Sequence, residues 1–165
     1  MTRMSHDELD RRILHALVQD ARASYADIGS LVGLSAPAVK RRVDRLRAAG
    51  AITGFSARLS PSELGWTTEA YVELFCRGKT SPSEIGRAAS KHPEVVSACT
   101  VTGEADALLL IRASDMRHFE QVVERIGAEP FVVRTRSSIV LSRLVERPDA
   151  LPELSDLRLR WTDLR

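Results

Sequence analysis

Apolar residues recur every three or four positions in three successive segments near the start of the chain. These positions are Leu9, Ile13 and Leu17, then Ile28, Leu31 and Val32, then Val39, Val43 and Leu46. This spacing places the apolar side chains of each segment on one face of a helix, because 3.6 residues complete a helical turn. The pattern therefore predicts three amphipathic helices that share a small core.

Serine and glycine residues mark the ends of these predicted helices. Ser5 and Ser24 are each followed three residues later by an acidic residue, which is the pattern of a capping box. Ser35 stands just before a first turn that contains proline, where the missing N–H costs nothing. Gly33 and Gly50 follow the second and third helices. Both helices are therefore expected to end there, since a residue that tolerates positive φ commonly follows a helix.

After Gly50 the spacing of apolar residues changes from helical to extended. Residues 51–59 predict an extended link that ends at a Ser-Pro boundary. The elements expected next are a strand at 66–77, a helix opened by Ser81, strands at 95–101 and 107–111, a helix opened by Asp115, and a strand at 132–145. This β-α-β-β-α-β order is typical of ferredoxin-like domains, in which two helices cover one face of a four-stranded antiparallel sheet.

These patterns predict an α+β protein made of two folded parts and two connecting or terminal segments. The N-terminal part, residues 1–52, is expected to be a helix-turn-helix domain of winged-helix-like type. Residues 53–64 are expected to form a linking strand that acts as a hinge. Residues 65–146 are expected to form the ferredoxin-like βαββαβ sandwich, followed by an Arg-rich tail at 147–165.

The segment 26–46 meets the specific requirements of a helix-turn-helix. The first helix needs a small residue where the second helix crosses it, and Gly29 occupies this position. The turn needs a residue that tolerates positive φ, which Gly33 supplies. The second helix needs a branched apolar residue facing inward, which Val39 supplies. Because all of these spacings agree, the segment predicts a motif that binds nucleic acid.

The second helix of this motif has a basic outer face. Its inward stripe starts at Val39, and a rotation of about 100° per residue identifies the outward positions. The residues expected to contact DNA are Ser35 and Ala36 at the N-terminal tip, followed by Lys40, Arg41 and Arg45. A basic run alone is more often a solvated surface, but on a recognition helix it indicates contact with the major groove.

The charge distribution agrees with an anionic partner for the N-terminal part. Residues 1–60 contain nine Arg and one Lys against six acidic residues, a formal charge of +4, while the remaining residues carry −2. No stretch approaches about 18 apolar residues, and the N-terminus lacks the apolar run of a signal peptide. A cytoplasmic protein without a membrane partner is expected. The two cysteines, Cys76 and Cys99, are expected to be small buried residues in a reducing compartment.

Several motifs then occur in a characteristic order over residues 5–145. They include Leu9-Asp-Arg-Arg-Ile-Leu14, Asp20-Ala-Arg22, Gly33-Leu-Ser35, Arg42-Val43, Val101-Thr-Gly-Glu-Ala-Asp106 and Thr135-Arg-Ser-Ser-Ile-Val-Leu141. On these motifs the chain resembles the Lrp/AsnC, or feast/famine, transcription regulators. The resemblance implies that double-stranded DNA is a partner and that the C-terminal domain senses a ligand and joins subunits. It also implies homodimers that assemble into tetramers or octamers.

The same resemblance implies an effector site for an amino acid or a related small molecule around a Gly-x-x-Asp turn. The residues that match this site are Thr102, Gly103, Glu104 and Asp106, with Thr135 and Ser137 as further members. An alternative role for Asp106 is to cap backbone N–H groups of the turn. The other face of the first strand, with Glu69, Tyr71, Glu73 and Phe75, fits a sheet buried against a partner subunit.

Three other functions are compatible with parts of the sequence. The first is an architectural DNA-binding regulator that needs no effector. The second is a small enzyme on a ferredoxin-like fold, but the four histidines are scattered without metal-ligand spacing, and no nucleophile or phosphate-binding motif accompanies them. The third is an adaptor without DNA, in which the basic helix would be coincidence. A regulator without a catalytic residue, metal or cofactor is therefore expected.

Overall fold

The computed structural model describes residues 6–146. Ser5 and the Arg-rich tail predicted at 147–165 lie outside the described residues. The described chain divides into two compact units, one that extends to Ala57 and one that spans Arg58–Leu144.

The first unit consists of three helices around one core. Helix α1 is Glu8–Gln19, α2 is Tyr25–Val32 and α3 is Ala36–Ala48. The buried core residues are Ile13, Ala16, Leu17, Ile28, Val32, Val39, Val43 and Leu46. The apolar stripes read from the sequence are thus the faces that the helices bury. Burial of each large side chain in such a core stabilises the fold by about 1.5–3 kcal/mol.

The helix ends confirm most of the predicted caps. Ser24 and Asp27 form a reciprocal capping box at the start of α2, and Gly33 ends this helix with a φ of 73°. Gly50 has a φ of 75°, and the next N–H donates to the carbonyl of Leu46 at 2.9 Å, which is a Schellman arrangement. The predicted cap of α1 was wrong. Asp7 caps this helix instead of Ser5, because its carboxylate accepts the N–H of Asp10.

Neither a wing nor a linking strand is present among the described residues up to Pro61. Residues 53–60 are assigned to no strand and pair with none of the four strands of the second unit. A β-strand requires a neighbour for its backbone N–H and carbonyl groups, and this segment has none within the described part of one chain. A short 3-10 turn, Ser62–Leu64, follows the link.

The second unit has the predicted ferredoxin-like order. Its elements are β1 (Thr68–Cys76), α4 (Pro82–Ala89), β2 (Val95–Thr100), β3 (Ala107–Ala113), α5 (Met116–Gly127) and β4 (Val132–Ile139). The strands lie in the order β2-β3-β1-β4, and every neighbouring pair is antiparallel. The last strand is shorter than predicted, because its pairing with β1 ends opposite Ala70 at Ile139.

The two helices of this unit cover one face of the sheet. Alternate residues of β1 and β3 face them, so that Ala70, Val72, Leu109 and Ile111 are fully buried. The helices contribute Ile85, Phe119, Val122 and Ile126 to the same core. The other residues of each strand point to the opposite face, which carries neither helix; this face is called the open face below.

Candidate DNA interface and effector site

The close crossing of α2 and α3 depends on Gly29. A Cβ atom built on this residue would lie 2.3 Å from the carbonyl oxygen of Leu34, a backbone atom that cannot easily move. Gly33 then turns the chain in the left-handed region, where residues with a Cβ are disfavoured. These two glycines set the angle at which α3 leaves α2, as the sequence predicted.

The N-terminal tip of α3 is free to meet a partner. Ser35 is exposed and forms the N-cap, but its side chain makes no capping hydrogen bond, so its hydroxyl stays available. Ala36 is half-buried at the first position of the helix. Backbone N–H groups at a helix N-terminus attract anions such as phosphate, and small side chains allow close approach.

The predicted basic residues of α3 differ in how they are engaged. Arg41 is exposed and makes no ion pair with any described residue. Lys40 is also exposed, but its Nζ lies 2.6 Å from Oδ2 of Asp44 one turn later. Arg45 is about half exposed, and its guanidinium lies 2.8 Å from the carboxylate of Asp10. The five residues predicted to contact DNA therefore lie along one helix, with Arg41 as the cation least engaged by the protein.

An acidic pair on α1 holds the recognition helix, and sequence reasoning missed it. The side chain of Asp10 is only 5% exposed and accepts hydrogen bonds from Arg42 and Arg45. Asp7 binds Arg42 at 2.7 Å, and this hydrogen bond is the main reason that the pKa of Asp7 falls below its ordinary value. The signal was present, because Asp10 occupies the inward stripe three residues before Ile13.

The predicted effector turn is open, but one of its groups already has a structural role. Thr102, Gly103 and Glu104 are exposed, and Gly103 has a φ of 122°. Asp106 accepts the N–H of Cys76 on Oδ2 at 2.7 Å, and its own N–H donates to Leu74 at 2.9 Å. The carboxylate thus caps the end of β1, which is the alternative role considered from the sequence.

The two further members of the predicted effector site lie on β4. Thr135 is opposite Leu74, the same residue that accepts the N–H of Asp106, so Thr135 and the turn lie near the same end of the sheet. Ser137 is opposite Val72, two residues farther along. Directly opposed residues of antiparallel strands point to the same side, so both side chains share the face that carries the helices.

A small cavity lies under α4 and α5, lined by Leu74, His92 and Phe131 among others, with a volume of about 10 Å³. That volume is about enough for one water molecule. The turn itself is a surface feature of the single chain.

The open face of the sheet mixes charged pairs with apolar side chains. Arg136 binds Glu73 at 2.5 Å, and the guanidinium of Arg134 lies 3.7 Å above the ring of Phe75. Tyr71 is 38% exposed and pairs with Leu110, which is half-buried.

One cysteine contributes to this face. Cys99 lies on β2, an edge strand of the sheet, opposite Leu108 of β3, and it is exposed. The prediction that both cysteines are buried is therefore wrong for Cys99, because its side chain points away from the helices, and Cys76 is only half-buried.

A second buried carboxylate lies at the other end of the sheet and was also missed. Glu94 is 5% exposed, and its Oε1 accepts from Arg125 at 2.6 Å and lies 3.1 Å from Nε2 of His118. Burial raises the pKa of Glu94, but its hydrogen bonds outweigh this and leave the pKa below the ordinary value. Residues 6–146 contain no group of three or more His, Cys, Asp or Glu side chains arranged to hold a metal ion.

Comparison with known proteins extends these observations over most of the chain. The pattern of the AsnC-type helix-turn-helix domain matches residues 7–47, and that of the Lrp/AsnC ligand binding domain matches residues 69–150. An HTH-type transcriptional regulator of Mycobacterium tuberculosis is 51% identical over 141 residues, which cover 86% of this chain and 95% of that protein.

Two solved structures with the same architecture contain a bound amino acid. A transcriptional regulator of Neisseria meningitidis in complex with L-methionine has a TM-score of 0.83 and 29% identity, covering 90% of this chain and 97% of that one. A feast or famine regulatory protein of M. tuberculosis complexed with L-methionine also has a TM-score of 0.83, with 32% identity and coverage of 90% and 100%. Within the described range, no helix combines the length and apolar character that crossing a membrane requires.

Proposed function

Since this chain belongs to the Lrp/AsnC family of transcription regulators, we propose that an amino acid modulates its DNA binding from a subunit interface of the C-terminal unit. The chain is a DNA-binding transcription regulator and not an enzyme, in agreement with the sequence analysis. Its DNA partner makes the cytoplasm the proposed place of action.

For DNA, the proposal is that α3 enters the major groove with its N-terminal tip. Ser35 and Ala36 would approach first, followed by Lys40 and Arg41 one turn later. The observation that carries this assignment is the exposed Arg41, which has no acidic partner among the described residues. A guanidinium that is free in this way can donate two hydrogen bonds to a guanine edge.

This assignment is tested by measuring affinity for the protein's own promoter. Arg41→Ala should weaken binding by about 1–3 kcal/mol. Arg47→Ala is the matched control, because Arg47 is an exposed arginine on the same helix but farther from its tip. Equal losses from the two substitutions would show that the helix supplies only general positive charge. Binding should also fall steeply with salt, because phosphate contacts release counterions.

For the effector, the proposal is that the turn 102–106 binds a free amino acid. The carboxylate of the ligand needs N–H donors, and the backbone around Gly103 offers them without a Cβ in the way. The ammonium needs an anion, and Asp106 presents one carboxylate oxygen while the other is held by the N–H of Cys76. The two relatives with bound L-methionine support an amino acid as the ligand class.

The effector proposal is tested by melting the protein with a panel of amino acids, starting with L-methionine. A ligand at about 100 times its Kd should stabilise the protein by about 2.7 kcal/mol. Asp106→Ala should abolish the shift while promoter binding by the ligand-free protein persists. Glu124→Ala, an exposed acidic residue on α5, is the control and should keep the shift. A shift that survives both Asp106→Ala and Gly103→Val would place the effector elsewhere.

For assembly, the proposal is a homodimer that associates further into a tetramer or octamer. The support is apolar surface that a single chain leaves in water: Leu141 is 94% exposed, Leu144 is 90% exposed and Tyr71 lies on the open face. Tyr71→Asp should lower the mass measured by sedimentation, whereas Met116→Asp, at an exposed helix start, should not. A wild-type monomer at tens of micromolar would contradict this proposal.

A second candidate is an architectural regulator that needs no effector. The observation in its favour is the hydrogen bond from Cys76 to Asp106, which gives that carboxylate a structural use without any ligand. The amino-acid panel distinguishes the two candidates, because the architectural regulator predicts no melting shift with any amino acid.

A further inference from the structure

The recognition helix is less positive than its sequence suggests, because acidic side chains compensate most of its cations. Helix α3 carries five basic residues: Lys40, Arg41, Arg42, Arg45 and Arg47. Lys40 is paired with Asp44, and both Arg42 and Arg45 are paired with Asp10. Only two of the five have no acidic partner among the residues that the structure describes.

The pairing with Asp10 is the most constrained of these contacts. Its carboxylate belongs to α1, is 5% exposed, and lies 2.8 Å from a guanidinium nitrogen of Arg42 and 2.8 Å from one of Arg45. Arg42 is also held by Asp7 and is 23% exposed. Arg45 is 50% exposed, and Asp10 is its one acidic partner among the described residues. A buried carboxylate keeps its cations more firmly than an exposed one, because loss of either guanidinium would leave its charge less well compensated.

We propose that Asp10 is a positioning residue that sets DNA selectivity: it withholds the guanidinium of Arg45 from the phosphate backbone and leaves Arg41 to contact base edges. This inference rests on the proposed role of α3 in DNA binding. It changes the expectation for Arg45, which the sequence placed among the DNA contacts.

The affinity of a protein for DNA has two components. Each cation that neutralises a phosphate raises affinity for every DNA sequence, whereas contacts to base edges raise it only for the correct one. A carboxylate that retains Arg45 therefore lowers binding to unrelated DNA more than binding to the promoter. Selectivity rises although no contact with a base is added.

The first test compares wild type with Asp10→Asn on two duplexes, the promoter and an unrelated sequence of equal length, over a range of salt. The substitution releases Arg45, so the unrelated duplex should bind about threefold tighter or more at low salt. The slope of log affinity against log salt should steepen by about 0.9, as expected for one extra phosphate contact. The ratio of promoter affinity to unrelated affinity should fall.

Two further variants show whether the effect passes through Arg45. Glu8→Gln adds the same unit of charge on α1 at a residue whose one ion pair within residues 6–146 is with Arg11, and it should shift the salt slope by much less. Asp10→Asn made in an Arg45→Ala background should leave the salt slope where Arg45→Ala alone puts it. A merely structural role for Asp10 would not produce this dependence on Arg45.

Several outcomes would overturn the inference. One is equal weakening of binding to both duplexes by Asp10→Asn in a protein that still melts cooperatively. A released Arg45 should instead strengthen binding to the unrelated duplex. Another is persistence of the steeper slope in the Arg45→Ala background. If Asp10→Asn does not fold, Arg45→Ala alone decides: it should leave the salt slope almost unchanged, and a reduction of about 0.9, the loss of one phosphate contact, contradicts the inference. Failure of Arg41→Ala to weaken promoter binding would instead refute the proposed role of α3.

Discussion

The helix-turn-helix and the turn at 102–106 differ in how much of each site lies within one short segment. Residues 24–50 contain the crossing glycine, the turn glycine, the caps and the outward basic residues of the motif. The predicted effector site instead draws on three places in the second unit: the turn itself, the end of β1 that Asp106 caps, and β4.

This difference explains why the two sites have different chemical character in a single chain. The proposed DNA-binding surface lies along one exposed helix, so its proposed function depends on which cations remain available. The proposed effector turn is exposed as well, but its main carboxylate already caps β1. A site with these properties needs a second surface to enclose a ligand, which agrees with the proposed location at a subunit interface.

The largest expected effect is on stability, at the close crossing of α2 and α3 in the first unit. Gly29→Ala should lower the free energy of unfolding by about 1–3 kcal/mol, because the new Cβ meets the carbonyl oxygen of Leu34. Gly86→Ala in α4 is the matched control. It has open space around it, so it should be neutral or stabilise by about 0.5–1 kcal/mol. Urea unfolding followed by circular dichroism measures both, and a neutral Gly29→Ala would contradict the close crossing.

A smaller loss of stability is expected when the hydrogen bond from Cys76 to Asp106 is removed. Asp106→Ala removes the acceptor for the N–H of Cys76, so it should lower the stability by about 0.5–1.5 kcal/mol, the usual net contribution of a hydrogen bond. Glu104→Ala, two residues earlier and without a hydrogen bond to any described residue, should change it by less than about 0.5 kcal/mol. Equal effects in urea unfolding would show that Asp106 has no capping role, and its carboxylate would then be entirely free for a ligand.

The smallest expected effect is a pH dependence that both units share. The pKa values of Asp7 and Glu94 lie below their ordinary values of 3.8 and 4.5, so each contributes stability above those values and loses it as the pH falls through the lower, folded-state pKa. Asp7→Asn and Glu94→Gln should therefore flatten the loss of stability below about pH 4.5. Unfolding midpoints measured between pH 3 and pH 6 test this, and unchanged curves for both variants would contradict it.

Much of the fold was predictable because it depends on local patterns. The helical stripe of α3, the capping box at Ser24 and the alternation of β1 each specify an element within about ten residues. The linking strand and the far end of β4 were not predictable in this way. An extended segment becomes a strand only when a neighbour pairs with it, and local sequence does not say whether one chain supplies that neighbour.

The sequence predicted where the candidate site residues lie in the fold, but not which ion pairs and hydrogen bonds they form. The sequence identified the outer face of α3, and the structure places those residues there. It did not indicate that Asp10 on α1 would engage Arg42 and Arg45, because this contact spans more than 30 residues and depends on how the helices pack. Likewise, the family resemblance identified Asp106, but its bond to Cys76 depends on the pairing of β1 with β3.

The role of α3 in promoter binding is the proposal on which the other DNA predictions depend. It is tested most directly by the promoter affinity of the double variant Lys40→Ala/Arg41→Ala, with thermal melting as a check of its fold. We expect a protein that melts like wild type but binds the promoter at least about tenfold more weakly, which corresponds to about 1.4 kcal/mol. A double variant that binds the promoter with wild-type affinity would show that α3 does not have this role.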